Sequence, residues 1–256
     1  MTEQPVRAWR VVLDHIERDL LDGRLRPGER LASERDLALD LGVGRSSVRE
    51  AFRVLEVMGL IRTATGSGPQ AGAIVIATPT GGMSQLLRLQ VAAQGFPLAD
   101  VVQTRLVLED AVVDALASST DRDTAEAHRM LAAMDAPDLT PGEFLALDAQ
   151  LHLALAEASG NAVIAAMMAG LRSSIESYVQ AGAAAVADWA AMTERLRAEH
   201  RALVAHIDAG DAATARALVR AHITGYYAAA GLHRLPASDT SGPPAPDSPP
   251  REDPHG

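Results

Sequence analysis

A chain of 256 residues is too long for one minimal domain and short for three, so two domains are expected. Hydrophobic residues make up 48% and aromatics 3%, an Ala/Leu/Val-rich composition that predicts a mainly α protein. The lack of cysteine excludes disulfides, zinc ribbons and thiol catalysis, and leaves nitrogen and oxygen as metal ligands. No apolar run approaches the ~20 residues that span a bilayer. Residues 1–5 lack the charged-then-apolar pattern of a signal peptide, so a cytoplasmic protein without membrane partners is expected. The net charge of -10 hides an asymmetry. Residues 1–78 carry eleven Arg and eleven Asp/Glu, whereas residues 79–256 carry twelve Arg and twenty-two Asp/Glu.

Val6, Trp9, Val12, Leu13, Ile16 and Leu20 recur at helical spacing and predict an amphipathic helix over 6–22. Gly23 stops it, and Pro27-Gly28 marks a turn. Ser33 and Asp36 form an N-cap with a near capping box, opening a short helix to about Leu41. After the turn Gly42-Val43-Gly44, Ser46 and Ser47 offer caps for a helix running to Met58. Leu60–Thr63 and Ile74–Thr78 are short β-prone runs around a Gly-rich tip. Pro79-Thr80-Gly81-Gly82 is the expected linker. Helices are predicted beyond it at 83–93, 98–118, 121–134, 141–158, 161–181, 188–209 and 211–232. Residues 236–256 hold seven of the fourteen prolines and are expected to be a disordered tail. The domains are thus 1–78 and 83–235.

Two short helices, a Gly-containing turn and a Gly-tipped hairpin make a winged helix-turn-helix. Arg45 and Arg49 lie one turn apart at the start of the second short helix. A helix N-terminus attracts phosphate, and Arg at this place reads guanine in the major groove. Ser46 and Ser47 can bind phosphate or cap the helix. Gly66 and Gly68 let the wing backbone approach DNA closely. The plainer alternative is a solvated helix face, which is the reading taken for Arg53.

Residues 20–62, with "PGERLASERDLA" and "VGRSSVREA", resemble the N-terminal domain of the GntR family of bacterial transcription regulators. The resemblance implies DNA contacts from Arg35, Arg45 and Arg49, with the wing glycine at Gly66. Two departures stand out. Gly44 replaces the usual small hydroxyl residue, and the wing "TATGSGPQAG" is long and lacks a basic or His tip.

Of the eight histidines, three interrupt apolar stripes. His152, with Asp148 at i−4, breaks Phe144–Leu147–Leu151–Leu155. His200 lies within Met192–Leu196–Leu203–Ile207, and His222 between Leu218 and Tyr226. Burying such groups without partners costs about 1–3 kcal/mol each. An i, i+4 carboxylate–imidazole pair points both ligands the same way, and imidazoles from neighbouring helices complete a set suited to Zn²⁺ or Ni²⁺. The alternative is three unrelated core histidines, each satisfied locally.

"RLVLEDAVVDALA", "LDAQLHLALAEASGN" and "EHRALVAHIDAGDAATARALVRAHI" resemble the all-helical FCD effector domain of the FadR-type branch of GntR regulators. The resemblance implies a divalent metal on Asp148, His152, His200 and His222, at the floor of a cavity for a small carboxylate. Arg105, with apolar neighbours Val101, Leu108 and Val112, is placed to grip that carboxylate. It is equally placed to pair with Glu109 at i+4. Further pocket residues are expected among Asn161, Arg172 and Tyr178.

The leading expectation is a homodimeric repressor that binds palindromic double-stranded operator DNA and responds to a small organic acid. A metal-dependent hydrolytic enzyme is the alternative, although Glu157 and Glu199, the nearest candidate bases, lean off the apolar stripes. A helical adaptor with a structural metal is the third.

Overall fold

A computed structural model of the chain describes residues 7–64, 72–76, 80–93 and 95–231. Gly66, the Pro-rich tail and Pro79 lie outside the described residues. The protein is mainly helical, a winged helix-turn-helix with a two-stranded wing followed by a helical bundle. Among the described residues no helix is long and apolar enough to cross a membrane.

The N-terminal part contains α1 (Ala8–Leu21), α2 (Glu34–Asp40), α3 (Arg45–Val57), β1 (Ile61–Ala64) and β2 (Gly72–Val75). Val12, Ile16, Leu37, Val48, Ala51, Phe52, Leu55 and Ile61 form one buried cluster, which fixes the angle between α2 and α3. Ser33 caps α2 by accepting from the Asp36 N–H. Gly42 turns the chain between the two helices at φ +64°, a conformation open to glycine at no steric cost. The strands pair antiparallel with Ile61 opposite Val75. Glu56 accepts from the backbone N–H and hydroxyl of Thr63, tying the end of α3 to the wing. An unforeseen feature is the segment after α1, which runs along β2 through Leu31 N–H to Ala73 C=O and an Arg30–Ile74 bridge.

The bundle comprises α4 (Thr80–Ala92), α5 (Leu98–Ser118), α6 (Ala125–Met134), α7 (Pro141–Ala158), α8 (Ala162–Ala183), α9 (Trp189–Asp208) and α10 (Ala212–Ala229). The predicted spans of α5 and α7 hold to the residue. Thr80–Gly82, expected as linker, form the first turn of α4. The helix expected from 121 begins at Ala125, because Asp123 turns its carboxylate to the Ala125 N–H and Ser119 accepts from the Asp121 N–H. One continuous core, including Val112, Leu116, Phe144, Leu151, Leu155, Leu196, Leu203 and Ile223, joins these helices. Helix α4 lies on α8, α5 on α10 and α7 on α8. Arg122 clamps two helix ends at once, donating to the carbonyls of Leu116 and Ala117 on α5 and of Asp208 on α9.

Candidate metal centre and nucleic-acid interface

Helix α3 begins at Arg45, at least two residues earlier than serine caps at 46 or 47 imply. Gly44 is the N-cap, extended at φ -71° and ψ 145°, and offers no side-chain cap. Ser46 and Ser47 are therefore residues of the first turn, which corrects their expected role as caps. Arg45, Ser46 and Arg49 are exposed and Ser47 is half-buried. The first-turn N–H groups of a helix have no intrahelical acceptor. Cation and helix N-terminus thus share one surface. Arg49 Nε lies 3.4 Å from Glu34 Oε2, and Arg35 Nε lies 3.4 Å from Asp36 Oδ1. Both pairs are solvent-exposed, so each holds its arginine only weakly.

In the bundle, Thr140 and Glu143 form a capping box and Pro141 opens α7. This fixed start carries Asp148 and His152, one turn apart. Helices α9 and α10 bring His200 and His222 against them. One ligand atom from each of the four residues lies within 4.8 Å of the others. His200 Nε2 is 3.0 Å from Asp148 Oδ1, and His222 Nε2 is 3.6 Å from the same oxygen. His222 Nε2 is also 3.2 Å from His200 Nε2 and 3.4 Å from His152 Nε2. All four residues singled out in the sequence are brought together, and the three histidines are buried.

Two further carboxylates complete the centre. His152 Nδ1 donates to Glu109 Oε2 at 2.9 Å, and His222 Nδ1 donates to Glu199 Oε2 at 2.9 Å. Each bond fixes the ring and turns Nε2 inward. Glu199, read from the sequence as leaning away, is hydrogen-bonded to the centre. Glu109, read only as a partner for Arg105, is fully buried. Its position among Leu106, Val112, Val113 and Leu116 was the available signal. His200 Nδ1 is buried without a hydrogen-bond partner.

The electrostatics fit a cation. Burial pushes His200 down to about 4, so it is neutral near pH 7. Burial would raise the Asp148 carboxyl, but hydrogen bonds to His200 and His222 hold it well below 3.8. His222 is shifted up, because Asp148 and Glu199 outweigh the effect of burial. Three Nε2 atoms and a carboxylate oxygen crowd one point. A proton on His222 relieves part of that crowding, while a divalent ion satisfies all four donors. The donor set fits a metal of the Zn²⁺ or Ni²⁺ kind.

A cavity of about 40 Å³ adjoins this centre. Asp148 and His152 line it together with Arg105 and Arg172 and with apolar Leu145, Met168, Ile175 and Val179. That is space for roughly three waters, or for a small acid in their place. Arg105 Nε is 3.1 Å from Glu109 Oε1, so the intrahelical pair and the place at the cavity coexist. Of the other expected pocket residues, Arg172 lines the cavity. Asn161 instead caps α8 by accepting from the Val163 and Ile164 N–H groups, and Tyr178 lies in a separate groove beside Arg88.

Comparison with known proteins follows the same division. Residues 10–69 match the profile "Bacterial regulatory proteins, gntR family", and residues 100–225 match the FCD domain. The chain thus combines two domain types of bacterial regulators. It carries the GntR helix-turn-helix and an FCD domain. The "Glc operon transcriptional activator" of Escherichia coli K12 is 34% identical over 160 residues, covering 60% of this chain and 61% of that protein. The chain therefore spans about three-fifths of that relative's length. The "Putative L-lactate dehydrogenase operon regulatory protein" of the same strain is 28% identical, covering 86% of this chain and 85% of that one. The "HTH-type transcriptional regulator LutR" of Bacillus subtilis is 28% identical, covering 79% and 92%. The structure of "Streptococcus agalactiae GntR" superposes with a TM-score of 0.60 at 22% identity, over 85% of this chain and 97% of that one, and shares the fold. These relatives and the two matched domains are regulatory. The metal-dependent hydrolase alternative is set aside on that ground.

Proposed function

We propose that this protein is a homodimeric transcription regulator of the FadR-type branch of the GntR family. It binds palindromic operator DNA, holds a divalent ion and responds to a small carboxylate. The observation that carries this reading is the shared cavity, where Arg105 meets Asp148 and His152 of the candidate metal centre. Asp148, His152, His200 and His222 hold Zn²⁺ or Ni²⁺, and the ion, when bound, supplies a Lewis-acid anchor for an acid's oxygen. Arg105 grips the carboxylate. Leu145, Ile175 and Val179 limit its size and exclude water. Arg35, Arg45, Ser46, Ser47, Arg49 and the wing at Gly66 contact DNA. A two-fold pair of recognition helices reads two half-sites, which is why a dimer is part of the proposal.

The acid acts by a differential free energy between DNA-competent and incompetent arrangements. Helix α8 supplies Met168, Arg172, Ile175 and Val179 to the cavity and packs on α4, the helix that follows the wing. Acid binding releases the DNA, so the protein is a repressor working in the cytoplasm. Selection from a random DNA library at fixed salt tests the DNA-binding part. Enrichment of a guanine-containing palindrome, lost in Arg45→Ala and Arg49→Ala, is expected. No enrichment by folded, metal-loaded protein contradicts it.

A further inference from the structure

We propose that Glu109 is a positioning residue that joins the metal centre to the acid-binding arginine. The inference rests on the reading above, in which the Asp148/His152/His200/His222 centre holds an ion and Arg105 grips the acid. Glu109 sits on α5 with 0% of its surface exposed. A carboxylate at that depth persists only when its oxygens are paired, and both are. Oε2 takes the Nδ1 proton of His152 at 2.9 Å, and Oε1 takes the Nε proton of Arg105 at 3.1 Å. One rigid three-atom group thus spans a metal ligand on α7 and the cation of the cavity.

The geometry of Arg105 gives the link its use. The pairing with Glu109 engages Nε and the Tyr227 hydroxyl lies beside the guanidinium, so the remaining Nη–H donors are those a carboxylate can use. Where Glu109 sits decides where that fork is held. His152 would hold the ion through its inward-facing ring nitrogen, and its Nδ1–H would then be the stronger donor to Glu109. The Glu109 carboxylate is thereby fixed, and Arg105 with it. Metal loading therefore presets the acid site, and the acid in turn tightens the metal, because coupling between two sites is reciprocal.

Glu199 supplies an internal control. It holds His222 Nδ1 at the same 2.9 Å distance, but its other oxygen lies 3.3 Å from Arg195, a residue half in solvent. Arg195 does not line the cavity. The two carboxylates make matching bonds to the centre, and only Glu109 touches the acid-binding residue.

The test measures Zn²⁺ affinity by chelator competition, then L-lactate affinity by calorimetry on Zn²⁺-saturated protein. Wild type, Glu109→Gln and Glu199→Gln are compared, each checked for a cooperative thermal transition. A Gln amide satisfies at most one of the two donors facing Glu109, because its nitrogen is itself a donor. Both variants should lose about 10–100-fold in Zn²⁺ affinity. At saturating Zn²⁺, Glu109→Gln should bind L-lactate at least about tenfold more weakly, while Glu199→Gln should match wild type. Glu109→Asp, which keeps the charge and shortens the reach, should show the same loss and serves if the Gln variant does not fold. Unchanged L-lactate affinity in Zn²⁺-saturated Glu109 variants overturns the proposal, and so does an equal loss in Glu199→Gln. A wild-type protein that takes neither Zn²⁺ nor L-lactate contradicts the proposed function itself, a different outcome from the first two.

Discussion

His152 and His222 bring their Nε2 atoms to 3.4 Å, while each gives its Nδ1 proton to a separate carboxylate. Two ring nitrogens so fixed face each other across a point that a proton on His222 satisfies in part and a divalent ion satisfies fully. Zn²⁺ is therefore expected to stabilise the chelator-treated protein. Ion at about 100 times its dissociation constant adds about 2.7 kcal/mol. For a unit of this size each kcal/mol moves Tm by about 2–4 °C, so a rise of roughly 5–10 °C is expected in thermal denaturation. Asp148→Ala should lose most of it. An undiminished rise in that variant would place the ion elsewhere.

The Arg49–Glu34 pair makes a prediction with an unusual sign. Glu34 on α2 lies 3.4 Å from the Arg49 guanidinium on α3, where, with Arg49 in its proposed DNA-contacting role, it would compete with a DNA phosphate or base and repel the DNA backbone. Glu34→Gln should tighten DNA binding several-fold at low salt, with the gain shrinking as salt rises. Arg49→Ala should weaken it by about 1–3 kcal/mol. Fluorescence anisotropy across a salt series measures both. Weaker binding by Glu34→Gln would show that the pair orders Arg49 for DNA instead of competing with it.

Gly170 marks a close approach between α8 and α4. A Cβ there would come 2.7 Å from Leu87 Cδ1 and 3.3 Å from Ser84 Cα. The Leu87 tip can move, whereas the Ser84 backbone cannot. Gly170→Ala gains helix propensity of about 1 kcal/mol, offset by the displacement of Leu87. Gly170→Val adds methyl groups with nowhere to go and should lose about 1–3 kcal/mol in urea denaturation. If Val is tolerated without loss, the two helices have room to separate.

The parts legible in sequence were those with a strong local signature. Helices α5 and α7 begin at Pro-linked starts and end where polar residues interrupt the apolar stripe. The four candidate ligands stood out because each is a polar group on such a stripe. Glu109 did not, since an Arg105–Glu109 pair at i+4 reads the same on a solvated face as in a core. Only the packing of α5 against α7 distinguishes the two. The caps of α3 were misplaced for a related reason. Serines at 46 and 47 satisfy the capping preference, yet Gly44 already adopts the extended conformation that an N-cap requires, and the helix starts there. The Arg30–Ile74 bridge joins residues far apart in sequence, with no periodicity to announce it.

In the proposed mechanism, one site for ion and acid controls the DNA-binding half. The most direct measurement is the affinity of metal-loaded protein for its selected palindrome, at fixed salt, across a panel of small mono- and dicarboxylic acids. At least one acid should weaken binding by roughly 5–150-fold, the usual span of allosteric coupling, and Arg105→Met should abolish the response while leaving acid-free DNA affinity unchanged. An affinity that no acid alters, or a response that survives in Arg105→Met, would contradict this mechanism.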